Sequence, residues 1–132
     1  NYRGKLSGPL LDRIDLHVSV SRVEYSSLRG SPGEGSGPVA ARVEAARIRQ
    51  RLRGALNSEL AGRALDDACA LDQECDRLLA RAAERLGLSA RACHRTLRVA
   101  RSIADLAGAP RVGLGHLTEA LGYRPPAATG VS

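Results

Sequence analysis

The chain has 132 residues, twenty basic side chains against fourteen acidic and a net charge of +6; it is 43% hydrophobic but holds no Phe, Trp or Met and three Tyr. That length suits one small domain with a tail, and a core of Leu, Val, Ile and Ala fits closely packed helices better than a thick sheet sandwich. No apolar run approaches the ~18–20 residues of a membrane span, and no signal-peptide apolar region is present.

Along the chain, Ser7-Gly8-Pro9 marks a turn. In the following residues 10–23, Leu16, Val18 and Val20 alternate with His17, Ser19 and Ser21. That period of two predicts a short strand. A lone strand cannot bury a face or satisfy its edges, so it needs partners from elsewhere. Residues 29–38 hold four Gly, two Pro and two Ser, the composition of a flexible connector. A first helix is expected near 38–56, with Pro38 in its first turn and Ala41, Ala45, Ile48, Leu52 and Ala55 as its buried stripe. A short helix near 62–69 follows the Asn57-Ser58 break. The next runs from about 73 to 86, capped by Asp72, faced by Cys75, Leu78, Leu79, Ala82 and Leu86, and ended by Gly87. Ser89 caps a long helix to about 107 with Cys93, Leu97, Ala100, Ala104 and Ala107 on one stripe and Val99, Ile103 and Leu106 beside it. Gly108 and Pro110 stop it. Leu114, Leu117 and Leu121 place a last helix near 114–122, and the tail 125–132 is expected to be disordered. The predicted fold is mainly α: a compact bundle of four to five helices preceded by a short β-strand stub. The boundaries are 1–28, a connector 29–38, a helical domain 39–124 and the tail.

The chemistry-bearing residues are mostly arginines. Nineteen of the twenty basic residues are Arg, Lys5 being the exception. Residues 38–56 carry Arg42, Arg47, Arg49, Arg51 and Arg53 with one acid, Glu44. Residues 89–107 carry Arg91, Arg95, Arg98 and Arg101 with one acid, Asp105. Arg91, Arg95 and Arg98 follow i, i+4, i+7 and so share a helix face. A solvated face, nucleic-acid phosphates, nucleotide phosphates at a subunit junction and protein contacts are all compatible with this pattern. The scarcity of aromatic side chains argues against a stacking platform for single strands.

The signatures of an autonomous enzyme are missing. There is no G-x-x-x-x-G-K-[ST] loop to cradle a triphosphate and no G-x-S-x-G elbow. His17, His94 and His116 lack metal-ligand spacing and read as structural or exposed, so no metal is assigned. Asp66-Asp67 and Asp12/Asp15 do not form acid/base pairs by spacing. Cys69, Cys75 and Cys93 form no C-x-x-C pair and read as buried reduced thiols of a cytoplasmic protein.

Three stretches carry a family resemblance. LSGPLLDRIDLHVSV (6–20) resembles the end of the ATPase core in magnesium-chelatase-like AAA+ proteins. VEAARIRQRLRGALN (43–57) and SARACHRTLRVARSIADLAG (89–108), followed by HLTEALGYR (116–124), resemble the carboxy-terminal lid of the competence-associated ComM/YifB branch. The resemblance implies a lid fragment of a larger hexameric motor that couples ATP hydrolysis to DNA remodelling, including branch migration in natural competence. It further implies that Arg13, in Leu10-Leu11-Asp12-Arg13-Ile14-Asp15, is an arginine finger acting in trans on the neighbouring subunit's nucleotide. Arg91, in Ser89-Ala90-Arg91, matches the sensor-2 position facing nucleotide phosphate. ATP and Mg²⁺ belong by this reading to the full-length parent, with neither expected on the fragment. The expected partners are the same chain's core, neighbouring subunits and DNA, with Arg42, Arg49, Arg53, Arg95 and Arg98 as nucleic-acid candidates and no membrane. The first residue is Asn1, which fits a piece of a longer polypeptide. A free-standing Arg-rich helical module binding DNA or protein is the alternative, and porphyrin metallation by a magnesium-chelatase subunit a third reading.

Overall fold

In the computed structural model, residues 13–20, 30 and 33–125 are described. They contain five helices: α1 (Ser36–Arg53), α2 (Gly62–Cys69), α3 (Gln73–Leu86), α4 (Ala90–Leu106) and α5 (Leu114–Gly122), with a single 3₁₀ turn at Asn57–Glu59 between α1 and α2. The mainly α architecture expected from the composition is therefore present. Residues 126–132, expected as a disordered tail, lie outside the described residues, as do 1–12 and 21–29.

Local chemistry sets most of the boundaries. The Asp72 carboxylate accepts a hydrogen bond from the Cys75 amide at 2.8 Å, satisfying one of the donors orphaned at the start of α3. The Ser89 hydroxyl does the same for Ala92 at 3.1 Å at the start of α4. Gly54 and Gly87 close α1 and α3 with φ of 99° and 65°, the left-handed conformation glycine adopts without a Cβ penalty. At α2 that position falls to Ala70, at φ 48°. The carbonyls there are held from outside the helix. Arg111 donates from Nε and Nη2 to the Ala70 oxygen at 3.2 and 2.9 Å, and the Val112 amide donates to Cys69 O at 3.1 Å.

The core is built around α4. Leu97, Val99, Ala100 and Ala104 meet Leu60, Leu65, Cys69, Cys75, Val112, Leu117 and Ala120 in one buried cluster. Small residues at 100 and 104 let α5 lie close against α4. Beside this apolar cluster lies a polar one. Asp105, 1% exposed, takes Arg101 Nη2 at 3.0 Å, Arg53 Nη1 and Nη2 at 2.9 and 2.6 Å, and Asn57 Nδ2 at 2.9 Å. Arg101, also 1% exposed, further donates to the carbonyls of Ala68, Ala109 and Pro110 at 2.8, 2.8 and 3.2 Å. One carboxylate and two guanidinium groups thus join α1, the 3₁₀ turn, the end of α2, α4 and the loop before α5.

Three expectations need correction. The β-strand stub is not formed among the described residues: 13–20 has no regular strand, and its one backbone bond to the bundle runs from His17 N to Tyr123 O at 2.8 Å. An isolated extended segment has no neighbouring ladder to complete its pairing. Of the buried stripe expected for α1, Ala55 is half-buried against the core, but the four residues within the helix face outward. Ala46 is the buried residue of that helix, while Ala41 and Ala45 are exposed and Ile48 and Leu52 are 47% and 82% exposed. Arg53 decides the rotation: its bond to Asp105 turns the face carrying Ala46, Gln50 and Arg53 inward, and Gln50 Oε1 accepts from Asn57 N at 2.8 Å on that same side. Helix α1 also begins at Ser36, so the last residues of the expected connector are helical.

Burial opposes ionisation of Asp105, but the hydrogen bonds from Arg53 and Asn57 and the charges of Arg101 and Arg53 outweigh it and hold the carboxyl below its ordinary range. A carboxylate with a depressed folded-state pKa contributes stability above its unfolded value. That contribution falls away as the pH drops below about 4, toward the folded pKa. Asp105→Asn, which leaves Arg101 buried without its counter-charge, is expected to cost about 3–5 kcal/mol at pH 7 in urea unfolding. The loss should shrink toward acid pH; a cost under about 1 kcal/mol would place it with surface ion pairs instead. Ala70→Gly is expected to raise stability by up to about 1 kcal/mol in the same assay, since it relieves the left-handed alanine.

Candidate functional site: the arginines of α1 and α4

The equal spacing of Arg91, Arg95 and Arg98 conceals three different environments. Arg91 lies in the first turn of α4, two residues past the Ser89 cap, and is exposed. The amide donors and positive dipole end of a helix disfavour a cation there in the absence of an anion. Among the described residues no ion pair reaches it. Arg95, one turn on, is 6% exposed. It lines an open groove of about 930 Å³ bounded by residues 16–19, the α3–α4 turn and residues 122–125. Arg98 is half-buried and turns back toward the bundle, its Nη1 lying 3.4 Å from Leu60 O. Arg101, the last arginine of that helix, is fully buried in the Asp105 cluster. The four do not form one solvated face, because the helix is wrapped on several sides by α1, α2 and α5.

The α1 arginines divide in the same way. Arg53 is held by Asp105 and by Asn57 Oδ1 at 3.0 Å. Arg49 reaches toward the seam with α4, its Nη2 lying 3.2 Å from where a side chain on Gly108 would begin. Arg42 pairs with Glu34 through both guanidinium nitrogens, Nη2 to Oε2 at 2.8 Å; the hydrogen bond from Arg42 holds the Glu34 carboxyl below its ordinary range. Arg51 meets Glu44 at 3.4 Å across an exposed surface. Arg13 is exposed in a turn, separate from the bundle's ion pairs.

The histidines and thiols have structural settings. His116 Nδ1 accepts the Gly113 amide at 2.9 Å and so caps α5; the His17 ring nitrogen Nε2 lies 3.1 Å from Ile14 O. His94 is exposed. All three cysteines are free, Cys69 and Cys75 being buried and Cys93 half-buried. Burial pushes the Cys69 thiol up to about 11. Among the described residues no cluster of His, Cys, Asp or Glu could hold a metal ion, and no helix is long and apolar enough to cross a membrane.

Sequence reasoning missed the inward roles of Arg53 and Arg101. The available signal was the i, i+4 pair Arg101–Asp105 within an otherwise apolar stretch, where a carboxylate signals a buried ion pair as readily as a solvent-facing one.

Comparison with known proteins fits this arrangement. Residues 33–124 match the family described as magnesium chelatase, subunit ChlI C-terminal, and residues 1–28 match magnesium chelatase, subunit ChlI. The chain is 41% identical over 126 residues to competence protein ComM of Haemophilus influenzae, 42% identical over 126 residues to YifB of Salmonella typhimurium and 41% identical over 128 residues to Rv2897c of Mycobacterium tuberculosis. In each case 93% of this chain is covered but 25% of the relative, so the chain spans about a quarter of their length.

Because Arg91 is exposed and Arg95 buried, truncation separates them. Arg91→Ala should change unfolding free energy by less than about 0.5 kcal/mol, whereas Arg95→Ala should cost more than about 1 kcal/mol through lost packing and bonding. Equal effects in urea titrations would contradict the two placements. On its helical domain, matched over residues 33–124, the chain belongs to the magnesium chelatase subunit ChlI C-terminal family.

Proposed function

We propose that this chain is the regulatory lid, with the adjoining end of the core, of a hexameric AAA+ ATPase that remodels DNA in the cytoplasm. The observation that carries the reading is Arg91: an exposed guanidinium at the positive end of α4, without an ion pair among the described residues. Anionic phosphate is the partner such a position favours. Set in the first turn, Arg91 senses the nucleotide of its own subunit. Arg13, exposed on the 13–20 segment, serves the neighbouring subunit's nucleotide in trans, where a cation stabilises charge developing during phosphoryl transfer. ATP supplies the phosphoryl group when bound. Mg²⁺ ligands would come from the remainder of the motor, since the described residues offer no acidic cluster.

The DNA component of the proposal leans on the name of one relative, the competence protein ComM. It accords with the +6 charge of this chain. Reading the piece instead as a free-standing DNA-binding module is less well supported, since Arg53 is committed to Asp105 and Arg95 lies buried.

The test is ATP turnover by the full-length protein. Arg13→Ala and Arg91→Ala should each lower it by about 10²-fold or more, on the scale of losing one electrostatic stabiliser. Mixing Arg13→Ala subunits with subunits lacking a working phosphate loop should restore partial activity, because each then supplies what the other lacks. The 132-residue chain alone is expected to show no turnover. Near-normal hydrolysis by both variants would overturn the assignments.

A further inference from the structure

Between the last two turns of α1 and the 3₁₀ turn lies an open hollow of about 680 Å³, lined among others by Arg47, Gln50, Arg51, Ser58, Glu59 and Ser102. Its polar groups are mostly donors. Arg47 is exposed, and no ion pair reaches it among the described residues. Arg51, one helical turn along, meets Glu44 at 3.4 Å with both side chains more than half exposed, a contact that holds little of its charge. Gln50 Oε1 is taken by Asn57 N at 2.8 Å, which leaves its NH₂ as the group it can offer. The Ser102 oxygen accepts from Asn57 Nδ2 at 3.1 Å, so its own proton is left to donate. The one carboxylate among the lining residues, Glu59, is held through Oε1 by Leu56 N at 2.9 Å.

We propose that this hollow holds a backbone phosphate of nucleic acid, gripped by Arg47 and Arg51, with Gln50, Ser58 and Ser102 completing the donors. Charge selects the occupant. Behind the hollow, Asp105 sets two guanidinium groups against one carboxylate, so that wall is itself positive. Arg47, Arg51 and the wall exceed Glu44 and Glu59 by one charge, and the carbonyl end of α1 offsets about half of it. A site this mildly positive holds a free anion weakly. It suits one phosphate of a polymer held elsewhere as well, and guanidinium, hydroxyl and amide donors are the groups that position a nucleic-acid backbone. The inference rests on the DNA reading above and relocates its contacts. Arg42 and Arg53, expected in that role, are already held by Glu34 and Asp105.

The test is binding of the full-length protein to a fluorescein-labelled duplex of about 30 base pairs, read by anisotropy from about 50 to 200 mM salt. Arg47→Gln with Arg51→Gln should weaken binding by about tenfold and lower the slope of log K against log salt by about 0.9 for each lid that touches the duplex. Arg77→Gln with Arg81→Gln, an equal loss of charge on exposed positions of α3, should change neither. Equal weakening by both variants would overturn the site in favour of non-specific charge. Displacement of the duplex by inorganic phosphate at matched ionic strength, lost in the Arg47/Arg51 variant, would overturn it in favour of free phosphate. Arg47/Arg51-dependent binding of labelled polyglutamate as tight as the duplex would overturn it in favour of an acidic protein. Tight duplex binding indifferent to Arg47 and Arg51 would strike this site and leave the DNA reading standing, whereas no duplex binding at low salt would strike both. Neither result bears on ATP turnover by the Arg13 and Arg91 variants.

Discussion

The bundle depends on one buried carboxylate. Asp105 receives two guanidinium groups and a side-chain amide, and the residues that donate to it lie at the end of α1, in the 3₁₀ turn and one helical turn back on α4. A lone carboxylate at this depth would be costly. With Arg53 and Arg101 in place its charge is compensated, and Arg101 in turn satisfies carbonyls at the end of α2 and before α5. Ion pairs of this kind add little net stability over an apolar core of the same shape, but they are highly specific about geometry. Here that specificity appears as the rotation of α1, which the apolar pattern alone would have set the other way.

This arrangement explains how a chain without Phe or Trp holds five helices together. The apolar cluster is made of Leu, Val, Ala and Cys and centres on α4. Such a core is tightly spaced but small, and α1 contributes no member to it, its one buried residue, Ala46, lying outside that cluster. The polar cluster therefore fixes what the apolar one leaves loose. The division also sorts the arginines: those near Asp105 orient helices, while Arg91, in the first turn of α4, is exposed.

Much of this was legible in the residues. Asp72, Gly87, Ser89 and Gly108 carry their own boundary signals, and α2 to α5 lie within a residue or so of where periodicity puts them. Periodicity fails where the partner is not another apolar face. For α1 the regular stripe Ala41–Ala45–Ile48–Leu52 outweighed the isolated Ala46, and nothing local marks Arg53 as the inward residue, because its partner lies 52 positions away. The 13–20 segment fails for the opposite reason. Its alternation is clear, but a strand exists only in a ladder, and the described residues supply a single carbonyl, that of Tyr123. The division of the α4 arginines was likewise invisible, since equal spacing says nothing about which neighbours wrap the helix. Arg13 and Arg91 stood out through family resemblance, not through their chemistry in isolation.

The way α1 is attached has a kinetic consequence. A helix that adds no side chain to the apolar cluster and is latched to Asp105 from its last turn can open as a unit while that cluster around α4 stays closed. Its amides should therefore exchange ahead of those of α4 under native conditions. Opening would begin at Ser36, where no side chain caps the helix, and run toward the latch at Arg53. The unit that presents the outward stripe is thus also the one the bundle can release without unfolding.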